Sequence, residues 1–221
     1  MEMVEGSSDM GREQQETSFT RLHRYSNGAI LLHWAIAALI ASNIVVSVRM
    51  RDMEGASKLD FIQAHETIGL SVLILSLIRI AWRVTHRPPA LPPGTRSWER
   101  WLARGVHVGL YVIMFALPLS GWIVVSTRIS LPPISLFVVV PWPWFPVVHD
   151  LASSHAGQIG KIPFQTHVWL GRTTLLLILL HLAGAMKHAI FRDGVAWRML
   201  PFGLLLPRRP KVQPPAIGDR T

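Results

Sequence analysis

Cysteine is absent from the 221 residues. That removes disulfides, thiolate metal sites, iron–sulfur clusters and covalent cofactor attachment through C-x-x-C-H together. Charge is scarce as well. Asp, Glu, Lys and Arg make up 16% of the chain against 50% apolar residues, with a mean hydropathy of +0.33. Soluble domains seldom combine so little charge with such long apolar runs, so the composition predicts an all-α membrane protein of one domain. Residues 1–24 are polar and contain no h-region, which predicts a flexible tail rather than a cleaved leader. The formal charge of +9 comes from basic residues clustered beside apolar segments. That is the pattern of membrane topology, and it excludes nucleic acid as a partner.

Four apolar segments are long enough to span, at about residues 29–48, 61–82, 105–126 and 165–190. Together they predict a four-helix transmembrane bundle over 25–203, with a basic, Pro-rich tail at 204–221. Ser26 or Asn27 is the expected cap of the first helix. Residues 83–104, rich in Pro and Arg, read as a connection that cannot continue a helix, and Pro118 predicts a kink in the third span. Ile134 to Val148 is apolar but interrupted by Pro141, Pro143 and Pro146. With Trp142 and Trp144 it reads as a loop in the membrane interface. There is no internal repeat beyond a recurring His-x-x-x-Gly.

The last span organises the rest. His167 and His181 lie fourteen residues apart, about 21 Å along a helix, and differ by only about 40° in azimuth. One imidazole near each membrane edge, on one face, suits two haem groups stacked one above the other. Gly171 and Gly184 leave the ring faces clear for a flat macrocycle. Two buried histidines bonded to neighbouring helices would give the same spacing. The other spans decide between these readings. Lys and Arg number sixteen on one side of the four spans and five on the other, which places both termini in the cytoplasm. Depth then pairs His33 with His181 on the cytoplasmic side, and His65 with His167 on the periplasmic side. Four ionisable side chains matched in depth point to bis-histidine ligation of two non-covalent b haems, six-coordinate and suited to electron transfer. Arg79, fourteen residues after His65, falls on nearly the same stripe and either pairs with a haem propionate or snorkels to headgroups. His107 has no counterpart at the far end of its helix and reads as an interface histidine. His149 and His155 read as loop histidines that are solvated, hold a metal or relay protons.

In this order and spacing, Leu32-His33-Trp34, Ala64 through Gly69, Ile78-Arg79 through Arg83, Phe115 through Gly121, and His167 through Arg192-Asp193-Gly194 and Arg198-Met199-Leu200-Pro201 resemble the bacterial cytochrome b561 family over about residues 20–203. The resemblance implies an inner-membrane four-helix bundle whose two b haems are ligated at His33, His65, His167 and His181. It also implies electron transfer between the periplasmic side and the quinone pool, as in a superoxide oxidase that reduces ubiquinone. The chain departs from the family at Ala189, where members often carry a second histidine, and in 127–165. Lys187 and His188, beyond His181 at the cytoplasmic helix end, are the expected quinone site; anchoring that end through the helix dipole is the alternative. Two further readings remain: a passive relay between quinol and a redox partner protein, and a haem-free transporter or structural bundle.

Overall fold

The computed structural model describes residues 25–86, 97–128, 135–137, 139–154, 158–191 and 196–199. The tails assigned to 1–24 and 204–221, Arg87 through Arg96 and His155 lie outside the described residues. Among the described residues five α-helices follow one another: α1 (Asn27–Arg49), α2 (Gly55–Thr85), α3 (Ser97–Ser126), the short α4 (Pro146–Ser154) and α5 (Lys161–Ile190). Among the described residues four helices, α1, α2, α3 and α5, are long and apolar enough to cross a membrane.

Every spanning helix extends past its apolar segment. A backbone that leaves lipid keeps its helical hydrogen bonds, and polar turns can go on into the interface. Residues 83–85 therefore remain in α2 and 97–104 already belong to α3, so the connection is shorter than the sequence suggests. Ser26 is the N-cap of α1, its hydroxyl accepting from the Ala29 N–H at 3.4 Å. The same hydroxyl accepts from Trp82 Nε1 at 2.9 Å. The Trp82 ring lies where a Cβ on Gly28 would stand, so glycine there permits the close approach of α1 to α2. Pro118 lies inside α3, which continues through it.

The helices associate in two antiparallel pairs. α1 lies along α2 and α3 along α5; α2 touches α3, whereas α1 and α5 make almost no backbone contact. Few residues are buried: α5 buries only Thr174, while Leu179 and Met186 are 64% and 63% exposed. Apolar side chains turned outward are stable facing lipid.

The segment after α3 is more ordered than a plain loop. Ser135–Leu136 pairs antiparallel with Val140–Pro141, and α4 follows. It is tied over one end of the bundle: Thr67 Oγ1 donates to the Ser135 carbonyl at 3.2 Å, Trp122 Nε1 to the Pro143 carbonyl at 2.9 Å, and the Phe145 N–H to Ser126 Oγ at 2.9 Å.

Candidate functional site

The two helix pairs bring histidines together at both ends of the bundle. At one end the His33 ring from α1 faces His181 from α5, with centroids 6.1 Å apart. At the other, His65 from α2 faces His167 from α5 at 6.0 Å. Both meetings bridge the gap between the helix pairs, and α5 supplies one ring to each. The pairs are the ones that depth alone selects in the sequence, because each helix carries its histidine at a fixed rise from a membrane edge.

A group held here must suit three observations. A metal–imidazole bond of about 2 Å on each side, added to two ring radii, fills a separation of this size. The His65 Nδ1 atom is buried with no hydrogen-bond partner, a costly state for a polar atom unless it has another ligand. Among the described residues, no three or more His, Asp or Glu side chains gather to hold a bare ion. A metal bound by two imidazoles alone has to bring its own equatorial ligands, as haem does. A Cβ built on Gly171 or Gly184 would meet nothing within 4 Å, so there is open space beside the histidine stripe. The residues therefore fit haem.

The surroundings of the two pairs differ. His167 Nδ1 stands 2.9 Å from Ser120 Oγ, which in turn donates to the Leu117 carbonyl at 2.7 Å. Glu66, next to His65, forms an ion pair with Arg128 at 3.8 Å. At the other end, Arg79 Nη1 donates to the Ala29 carbonyl at 3.2 Å, one turn before His33, so its guanidinium turns toward α1 rather than outward to headgroups. His107, expected as an isolated interface histidine, has its ring 5.3 Å from that of His181, with Nδ1 2.6 Å from the Ala103 carbonyl. The sequence shows no partner for it because that neighbour comes from another helix. His149 stacks on Trp144 at 4.2 Å and lies 3.3 Å from the Ser126 carbonyl, so it holds the cap in place.

Lys187 reaches across to α3. Its Nζ is 2.7 Å from Glu99 Oε1 and lies over the Trp98 ring at 5.8 Å. His188 is half-buried beside it. Arg172 escapes the sequence argument altogether. It is exposed on the outward side of α5 with its guanidinium 4.9 Å from the Trp169 ring centroid. A charge between the two histidine levels is itself the signal that a search for intramembrane ionisable residues would find.

The chain is similar to known proteins over most of its length. The prokaryotic cytochrome b561 family profile matches residues 24–202. Cytochrome b561 homolog 2 of Escherichia coli (strain K12) is 34% identical over 139 residues, which is 62% of this chain and 69% of that protein. Cytochrome b562 of Cereibacter sphaeroides is 32% identical over 193 residues, 84% of this chain and 97% of the relative. The probable superoxide oxidase CybB of Yersinia pestis is 24% identical over 182 residues, 80% and 96% respectively. With four spanning helices and a profile match over nearly the whole described chain, the protein belongs to the prokaryotic cytochrome b561 family of multi-pass membrane electron-transfer proteins, whose cofactor is haem b.

Proposed function

We propose that the chain holds two non-covalent b haems, one between His33 and His181 and one between His65 and His167, and that it oxidises superoxide on the periplasmic side and reduces ubiquinone on the cytoplasmic side. The observation that carries this reading is the pair of imidazole clefts, 6.1 and 6.0 Å between ring centroids, at the two ends of one bundle. Haem held there by an imidazole from each helix pair would supply one-electron exchange rather than oxygen binding at the metal. The four histidines come from three helices, so both ligand pairs form only when the two helix pairs close on one another. Arg79, turned inward beside His33, is placed to answer a propionate carboxylate. Each superoxide loses one electron and leaves as dioxygen. Two such electrons and two protons convert one quinone into quinol. His188, at the end of α5, stands where a quinone headgroup can remain at the interface with its tail in lipid, and an interface imidazole can pass protons to it. Lys187, being paired with Glu99, holds that helix end in register and lies beside the headgroup.

One observation favours the passive relay instead. Arg128, a cation beside the His65 end, is paired with Glu66, which weakens its pull on an approaching anion. The two readings part in a single experiment. Purified, oxidised protein with a pyridine-haemochrome content of two haems per chain is exposed to a superoxide flux with a ubiquinone analogue, and haem reduction and quinol are followed together. Superoxide-dependent reduction with quinol formed in a ratio of about one per two superoxide is the expected result. Two haems with no superoxide-dependent reduction would leave the relay. One haem or none would overturn the ligand assignment.

A further inference from the structure

Among the described residues, His167 alone of the four facing histidines is seated on a hydroxyl. The Ser120 hydroxyl carries one proton, and its short contact to the Leu117 carbonyl, 2.7 Å, uses it. Toward His167 Nδ1, 2.9 Å away, the serine oxygen therefore accepts. This relay puts the imidazole proton on Nδ1 and leaves Nε2 bare. Gly121 completes the seat: a Cβ there would come within 3.1 Å of His167 Cε1 and 3.5 Å of Nδ1, so the ring lies against the α3 backbone. Ser120 is 8% exposed, and water does not compete for the bond. Among the described residues, His33 and His181 have no such hydroxyl; the ring beside His181 is His107.

A ligating imidazole whose other nitrogen donates a hydrogen bond is a more basic ligand. A more basic ligand favours the oxidised, more positive metal. Fixed charge acts the same way from the opposite end. Arg79 places a cation one turn from His33, which favours the reduced state there, whereas Arg128 and Glu66 near His65 offset each other.

We propose that Ser120, with Gly121, is a positioning site that fixes the His167 tautomer and makes the haem at the His65–His167 end the lower-potential one, so that electrons run from that end toward His33–His181. This rests on the haem assignment above, and the test separates the two. The purified haem-loaded protein is titrated potentiometrically, with low-spin electron paramagnetic resonance spectra of each component. The component that His65→Ala removes is expected to be the lower of the two. Ser120→Ala should raise the potential of that component by about 59 mV, the equivalent of a tenfold change in a one-electron equilibrium. It should shift only that component's low-spin signal and leave the other potential unmoved. Ser120→Thr, which keeps the hydroxyl, should restore the wild-type value. If Ser120→Ala sheds the haem, retention of both haems at wild-type potentials by Ser120→Thr still assigns the role to the hydroxyl. Identical behaviour of the alanine and threonine variants, unmoved potentials with two haems bound, or a shift in the other component would overturn the proposal. His167→Ala retaining two haems would overturn the ligand assignment itself, whatever Ser120 does.

Discussion

Alanine at position 121 would gain about 1 kcal/mol of helix propensity over glycine, yet its methyl would stand 3.1 Å from His167 Cε1. The ring cannot retreat without stretching its bond to Ser120, so the strain exceeds the gain. Overpacking of this kind costs about 1–3 kcal/mol. Gly121→Ala is expected to lower the thermal stability and to weaken retention of the haem between His65 and His167, leaving the other haem in place. Haemochrome content together with a thermal melt in detergent checks this, and equal loss of both haems would contradict it. The four facing histidines are legible in the sequence because a regular rise and twist fix their depth and azimuth within each helix. Ser120 and Gly121 are not legible as a site. In the sequence Pro118 through Gly121 speaks of a kink, and the seat exists only once the register of α3 against α5 is set.

At the scale of elements, hydropathy marks the part of a helix that lies in lipid and is blind to its continuation. That is why α3 begins at Ser97 instead of about 105 and α5 at Lys161 instead of 165. The early start of α3 has a consequence, since its first turn carries Glu99 and Trp98 to Lys187 at the end of α5. Lys187 is therefore a tie between two helices, and on the function proposed above proton delivery at that end would fall to His188. The side chains of Lys187 and Glu99 are 41% and 18% exposed, so the pair is screened and contributes less than about 1 kcal/mol. Glu99→Gln is expected to change stability by no more than that and to leave quinone reduction nearly unchanged. His188→Ala should keep both haem spectra and slow electron exchange with quinone on the order of 10²-fold, the usual scale for losing a general acid or base. Stopped-flow reduction of a quinone analogue checks both variants. Normal kinetics in His188→Ala, or loss of haem from it, would assign that histidine a different task.

For the whole molecule, orientation would decide, on the function proposed above, which histidine pair meets superoxide and which meets quinone. Sixteen of the 22 Lys and Arg residues fall on the side of both termini and five on the other; the remaining one is Arg172. It does not vote, because it lies within α5, five residues from His167 and nine from His181. A cation near the centre of a spanning helix costs about 2.5–3.5 kcal/mol on insertion scales. Arg172 reduces this by leaning over Trp169, one turn nearer the start of α5, as a long cationic side chain does when it snorkels toward an interface. Its lean is toward the His167 end, which the count predicts to be periplasmic, so it does not oppose that predicted orientation. A reporter fused after Thr221 should consequently be active only if it functions in the cytoplasm, and one inserted at Ser153 in α4 only if it functions in the periplasm. The opposite pattern would exchange the two faces. The pair seated on Ser120 would then stand beside the cytoplasm, and the direction inferred for the electrons would run out of the cell instead of into the quinone pool.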